Sequence, residues 1–383
     1  MRIEQVKIYR VLLPFSVDFS HSLRKRSSVN NIVAEIVADR GATSGYGEGA
    51  PRVYVTGETQ ESAAKHIRDF VEKQNFPWNL QEADEIWDFI DGLPREKEHN
   101  TAVCALETAL LDALGRSQNR HLTDYFPRNF FTGTIHYGAA LPLDSRQTVV
   151  ALGRQIKRLE VRKLKLKLGK NFKQNRDIFE GVHQVFGDDC DIKIDINCVW
   201  DLDSALQHIP LIDRYKVRVV EQPMMPDSPE IGSLAARLQP LGIDLMADES
   251  ACCMKDIEKI LNQGHYGMIN VRLSKCGGFR RSFAMIDCLR KAGLPFQIGC
   301  QLGESGLLSS AGRALSLLNR DALYFDGSYD EYLLKENITV ENVSFGPGGK
   351  AGPLNGPGLG VRVDRRQLAR LAPGPVEKIS RPL

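Results

Sequence analysis

Apolar and charged positions alternate without a break from Lys163 to Leu168 in the segment Arg162 to Gly169 (RKLKLKLG), a period of two that predicts a β-strand. The same period opens the chain. Ile3, Val6, Ile8 and Val11, and then the run NIVAEIVA over 31–38, predict two half-buried strands of an antiparallel meander. The polar segment 16–31, with His21, Arg24, Lys25 and Arg26, is too long for a tight hairpin and reads as a loop. A glycine-rich stretch from Gly45 to Pro51 closes the meander and is placed to cover a pocket. Over 58–73, 82–90 and 101–113 the apolar spacing changes to three and four, which predicts helices lying on the meander. Residues 1–132 are thus expected to form an α+β capping domain.

Beyond Phe131 short β-branched runs alternate with helical segments, the sequence form of consecutive βα units. The runs cover 133–142, 162–169, 191–198, 217–223, 243–250, 268–275, 295–302 and 322–327. Eight such units predict an α/β fold with a TIM-type (β/α) barrel over 133–327. No glycine-rich phosphate turn follows the first run, as an open nucleotide-binding sheet would show. The segment 328–383 is rich in Gly and Pro and is expected to return to the capping domain.

Composition narrows the class. Fifty basic and 48 acidic residues are interspersed, giving +2 and no basic tract for nucleic acid. The eight cysteines include no CxxC pair, the first residues lack an apolar leader core, and no apolar run approaches the roughly 20 residues of a membrane span. A soluble protein of the reducing cytoplasm is expected.

Barrel chemistry gathers at the C-terminal ends of the strands. Lys165 and Lys167, Asp195 and Asn197, Glu221, Asp248 and Glu249, and Lys275 occupy those ends on runs two to six. Asp195, Glu221 and Asp248 stand one βα repeat apart, so three carboxylates face one another from adjacent strands. They repel unless a cation sits among them, and an oxygen-only set without His or Cys suits a hard divalent ion. Two lysines at i and i+2 disfavour each other's charge, the condition a lysine base needs.

The ordered set Lys165-Leu-Lys167-Leu-Gly169, Asp195-Ile-Asn197, Glu221-Gln222-Pro223, Ala247 to Ser250 and Lys275-Cys-Gly277-Gly278 resembles the muconate-lactonizing-enzyme (muconate cycloisomerase) subgroup of the enolase superfamily. The resemblance spans barrel strands two to six, and the first domain fits that family's cap. It implies that Asp195, Glu221 and Asp248 bind Mg²⁺, with Mn²⁺ as an alternative. Lys167 and Lys275 would be the acid/base pair on opposite faces of the substrate, with Lys165 supporting Lys167. Asn197 and Glu249 would support the metal ligands. The implied chemistry is removal of a proton alpha to a carboxylate through an enediolate, in a small-molecule substrate. The implied assembly is a homo-oligomer, dimer or octamer.

Run seven, Gly299 to Ser305, departs from the family pattern: Gln301 stands where many members have Met, and Glu304 is displaced by one position. Run eight, Tyr324-Phe325-Asp326-Gly327, is similar to the D-x-D-G of dipeptide epimerases with Tyr in the first place. Asp326, Gln301 and Glu304 are therefore expected to contact substrate, and His21, Arg24 and Tyr54 to supply specificity contacts from the capping domain. Racemisation or epimerisation of an amino-acid derivative is the expected outcome, with cycloisomerisation or β-elimination as alternatives. A Schiff-base lyase would use one lysine and leave the three carboxylates unexplained.

Overall fold

The computed structural model describes residues 1–21, 24–73 and 75–382, apart from the side chains of 17–21 and 24–26. Strands β1 (Ile3–His21), β2 (Arg24–Ala38) and β3 (Thr43–Gly49) pair antiparallel in sequence order. β1 and β2 stay paired as far as His21 and Arg24, across a register shift between Pro14 and Phe19. Most of the segment read as a loop is therefore strand. Val17 and Phe19 carry the alternation past Ser16, so the period was present but masked by its polar neighbours. The side chains of His21 and Arg24, expected at the substrate, lie outside the described residues.

Helices α1 (Val53–Thr56), α2 (Gln60–Lys73), α3 (Ala83–Asp91) and α4 (Asn100–Gln118) follow. α4 is buried from Asn100 to Gly115, as its Ala- and Leu-rich sequence requires. It packs on β3 because Gly45, Gly47 and Gly49 present no side chain there. A Cβ on Gly45 would stand 2.2 Å from Ala113 N, and one on Gly47 2.2 Å from Ala105 O. The glycine-rich stretch thus serves a close helix–sheet approach.

After the short β4 (Ile135–His136) come eight strands: β5 (Ala139–Leu141), β6 (Lys163–Lys167), β7 (Asp191–Asp195), β8 (Val219–Glu221), β9 (Asp244–Ala247), β10 (Met268–Arg272), β11 (Phe296–Gly299) and β12 (Tyr324–Phe325). Each is parallel to the next in one curled sheet. Gly138 N donates to Phe325 O at 2.8 Å, joining the first strand to the last. The outer helices are α5 (Arg146–Arg158), α6 (Phe172–Phe186), α7 (Leu202–Arg214), α8 (Ile231–Leu238), α9 (Met254–Gln263), α10 (Gly278–Ala292) and α11 (Gly306–Leu317). A single turn, α12 (Asp330–Leu333), follows β12. β13 (Lys350–Ala351) pairs with β4, and after α13 (Arg365–Leu371) the strand β14 (Glu377–Ser380) joins the cap sheet beside β1.

Two cap carboxylates anchor the barrel by accepting hydrogen bonds from helix N-termini, where the backbone N–H groups have no partners of their own. Glu48 accepts from Ser305 N at 3.2 Å and Leu308 N at 3.0 Å at the start of α11. Glu107 accepts from Phe279 N at 2.5 Å and Arg280 N at 2.8 Å at the start of α10. Gly278 makes the second anchor possible: its φ is +89° and a Cβ there would lie 1.9 Å from Glu107 Oε2. Gly278→Ala is expected to lower stability by on the order of 1–3 kcal/mol or more. A denaturant midpoint unchanged from wild type would show that α4 and α10 separate at no cost.

Candidate active site

Alternation within each strand decides which side chains face the barrel interior. At the C-terminal mouth, beneath the cap, lies a cavity of about 680 Å³. Lys165, Lys167, Asn197, Gln301, Glu304 and Asp326 line its polar floor, and Tyr54 reaches it from the cap. Leu152, Ile156, Leu159, Leu333 and Phe345 form an apolar outer wall. Asp195, Glu221 and Asp248 lie beneath that floor, fully buried.

The carboxylates are joined through cations. Lys167 Nζ donates to Asp195 Oδ2 at 2.5 Å and Asn197 Oδ1 at 3.0 Å. Lys165 Nζ lies 2.7 Å from both Glu221 Oε2 and Asp326 Oδ2. Arg272 Nη2 pairs with Asp248 Oδ2, and lies 3.2 Å from Glu221 Oε1. Burial works against the Lys165 ammonium, but Asp326, Glu221 and Asp195 outweigh it and raise its pKa well above the usual value. Burial likewise opposes the Glu221 carboxylate, yet Lys165 and Arg272 hold it below the usual carboxylate range. Glu249 goes the other way. Burial, with Asp248 and Asp195 beside it, pushes its carboxyl up to about 8. Burial does the same to Glu304, also to about 8.

Two placements differ from the sequence expectations. Lys275 does not reach the cavity: it is fully buried, and its Nζ donates to Asp248 O at 2.7 Å, Asp248 Oδ1 at 3.0 Å and Asn270 O at 2.6 Å. β10 ends at Arg272, which lines the cavity instead. Asp326, expected to hold a substrate ammonium, is already held by Lys165 and by Lys193, whose Nζ is 2.8 Å away. Those two cations outweigh burial and keep the Asp326 pKa below the usual range. Lys163 shares the inward parity of Lys165 and Lys167 but lies at the opposite end of the strand, donating to Leu323 O at 2.9 Å. Sequence reasoning missed Arg272 and Lys193, although both follow the inward period, Met268-Asn270-Arg272 and Asp191-Lys193-Asp195.

Among the described residues no three His, Cys, Asp or Glu side chains stand close enough to enclose an ion in this arrangement. The donor chemistry nonetheless fits Mg²⁺: three buried carboxylates without nitrogen or sulfur ligands, beside a Glu249 Oε2 that is buried with no hydrogen-bond partner.

Residues 148–367 match the family described as Enolase C-terminal domain-like. The chain belongs to that family. The match bears out the expected enolase-superfamily membership, and the eight-stranded parallel sheet with its separate antiparallel sheet bears out the barrel with its cap. A hydrophobic dipeptide epimerase from Enterococcus faecalis is 24% identical to this enolase-type chain over 333 residues, covering 86% of it and 91% of the relative. The crystal structure of N-succinyl Arg/Lys racemase from Bacillus cereus superposes with a TM-score of 0.87 at 22% identity, covering 99% of this chain and 100% of that one. A dipeptide epimerase from Enterococcus faecalis, complexed with Mg and the dipeptide L-Leu-L-Tyr, superposes with a TM-score of 0.82 at 22% identity over 94% of this chain and 99% of that one. No described helix of this enolase-superfamily member is long and apolar enough to cross a membrane.

Proposed function

We propose that this protein is a Mg²⁺-dependent isomerase that removes the proton alpha to a substrate carboxylate and racemises or epimerises an amino-acid derivative. The observation that carries the reading is Lys167, an amine on the cavity wall whose Nζ lies 2.5 Å from Asp195, one of three buried carboxylates on consecutive strands. Mg²⁺ held by Asp195, Glu221 and Asp248 would neutralise the charge that builds on the substrate carboxylate as the proton leaves. Lys167 takes that proton on Nζ. Asn197 Oδ1 orients the amine, and Lys165 keeps a second positive charge beside it. Tyr54, Gln301 and Glu304 lie where they would contact the rest of the substrate.

The floor favours an N-acylated substrate over one with a free ammonium, because Asp326 is committed to Lys165 and Lys193. The apolar outer wall suits a hydrophobic side chain or acyl group. A second reading, cycloisomerisation or β-elimination, is favoured by one observation: the cavity offers Arg272 where a second lysine base was expected. The test is deuterium exchange at the α-carbon of N-acylamino acids and dipeptides in D₂O, followed by proton NMR with Mg²⁺ and with EDTA. Mg²⁺-dependent exchange together with loss of optical rotation is the expected result. Exchange that persists in EDTA would refute the role of the metal, and alkene formation without inversion would favour the second reading.

A further inference from the structure

Inverting a carbon calls for proton-handling groups on both faces of the substrate, and here the group opposite Lys167 is not an amine. In β10, Met268, Asn270 and Arg272 point into the barrel in turn. Met268 clusters with Val219, Met246 and Tyr324, Asn270 Nδ2 donates to Glu221 Oε1 at 2.8 Å, and Arg272 reaches the cavity. β10 is separated from β6 by β7, β8 and β9 in the eight-stranded sheet, so Lys167 and Arg272 approach from opposing walls. Lys275 falls out of that period and past the strand end. An ammonium has three N–H donors, and all three of its bonds go to Asp248 O, Asp248 Oδ1 and Asn270 O. Its side chain is 0% exposed, against 14% for Lys167.

We propose that the two faces of the substrate are served by unlike groups, Lys167 on one and Arg272 on the other, and that Lys275 is a positioning residue that fixes Asp248. This rests on the α-proton abstraction proposed above. On the Lys167 face the C–H bond breaks, its proton forms a new N–H on the neutral amine, and the bonding pair stays on the substrate. The ammonium turns, trades protons with water, and the reverse step restores C–H with a solvent hydrogen. A guanidinium keeps its protons under the conditions in which proteins fold, and its fork is built to donate to oxygen. Arg272, whose Nη2 is paired with Asp248 and lies 3.2 Å from Glu221 Oε1, therefore faces the substrate as a fixed cation and removes a proton far more slowly than Lys167 does. The enantiomer whose α-hydrogen meets Lys167 exchanges with retention faster than it inverts, and its mirror image exchanges slowly.

The test uses N-succinyl-L-leucine and N-succinyl-D-leucine separately in D₂O with Mg²⁺, with α-proton loss and configuration followed by NMR and chiral chromatography. One enantiomer is expected to exchange about 100-fold faster than the other, the lower end of what a positioned base contributes. Arg272→Lys, which places an amine on the second face, is expected to narrow that ratio. A second arm needs neither substrate nor variant: the native protein is treated with an amine-acylating reagent and with phenylglyoxal, and its peptides are read by mass spectrometry. Label on Lys167 and Arg272, with Lys275 unlabelled until the protein is denatured, is expected. Equal exchange of the two enantiomers by wild type, or acylation of Lys275 at the rate of Lys167 in the native protein, would overturn the proposal. No exchange from either enantiomer, with the expected labels in place, would instead overturn proton abstraction and leave the placement of Arg272 and Lys275 standing.

Discussion

Lys167→Ala is expected to abolish exchange from the enantiomer that wild type exchanges rapidly, lowering its rate by about 10²–10⁴-fold or more. The argument starts from position. Lys167 ends β6, lines the cavity and donates to Asp195 and Asn197, whereas Lys165 is drawn down between Glu221 and Asp326 and is not free to take a proton. Because Lys167 lies at the cavity wall, its removal opens Asp195 to water and leaves the barrel intact. Circular dichroism, the denaturant midpoint and Mg²⁺ binding by calorimetry should therefore change little while exchange disappears. An Ala variant that still exchanged at the wild-type rate would remove Lys167 from the reaction and transfer attention to Lys165.

Glu221→Gln is expected to weaken Mg²⁺ binding by more than about 100-fold, since altering even a group that merely supports a ligand typically costs 10–100-fold. It should also lower stability, by up to roughly 3–5 kcal/mol, the usual result of removing one partner from a buried ion pair. Lys165 retains Asp326 and Arg272 retains Asp248, so the loss should fall toward the lower end of that range. The sign of the pH dependence follows from the direction of the shift. Lys165 and Arg272 outweigh burial to hold the Glu221 carboxyl below its ordinary 4.5, so its stabilising charge is complete above that pH and is lost as pH falls toward the folded value. Unfolding midpoints across acid pH should decline less steeply in the Gln variant. Calorimetry showing undiminished Mg²⁺ affinity would exclude Glu221 as a ligand.

The two changes probe different layers of one network. Lys167 belongs to the layer that lines the cavity, and Glu221 to the layer below, where each carboxylate is matched by a cation. Lys193 shows how closely that matching is drawn. Burial pushes its pKa down to about 8, against the pull of Asp326, and its Nζ donates to both Asp326 and Gln297. This pairing turns Asp326 from a candidate anchor for a substrate ammonium into an internal counter-ion.

How much of this was legible beforehand depended on how far apart the deciding residues lie. The alternation in RKLKLKLG and the recurrence of an acid once per βα repeat are local patterns, and they were enough to predict the barrel, to align Asp195, Glu221 and Asp248 at one mouth, and to single out Lys165 and Lys167. Strand parity is a property of the backbone, so a single chain segment carries it. The choice between Arg272 and Lys275 is different: both lie near the end of one strand, and what separates them is where β10 stops and which acceptors meet a lysine in the turn beyond it, Asp248 just past β9 and Asn270 on β10 itself. The partners of Asp326 come from β6 and β7, across the closure of the barrel, and no spacing along the chain reports them. The sequence by itself determined the architecture and the alignment of Lys165, Lys167, Asp195, Glu221 and Asp248 at one mouth, because periodicity and repeat are written locally. Only the tertiary structure decided which of those charges neutralise one another and which face the cavity, because burial and long-range pairing set the cost of every charge left without a partner.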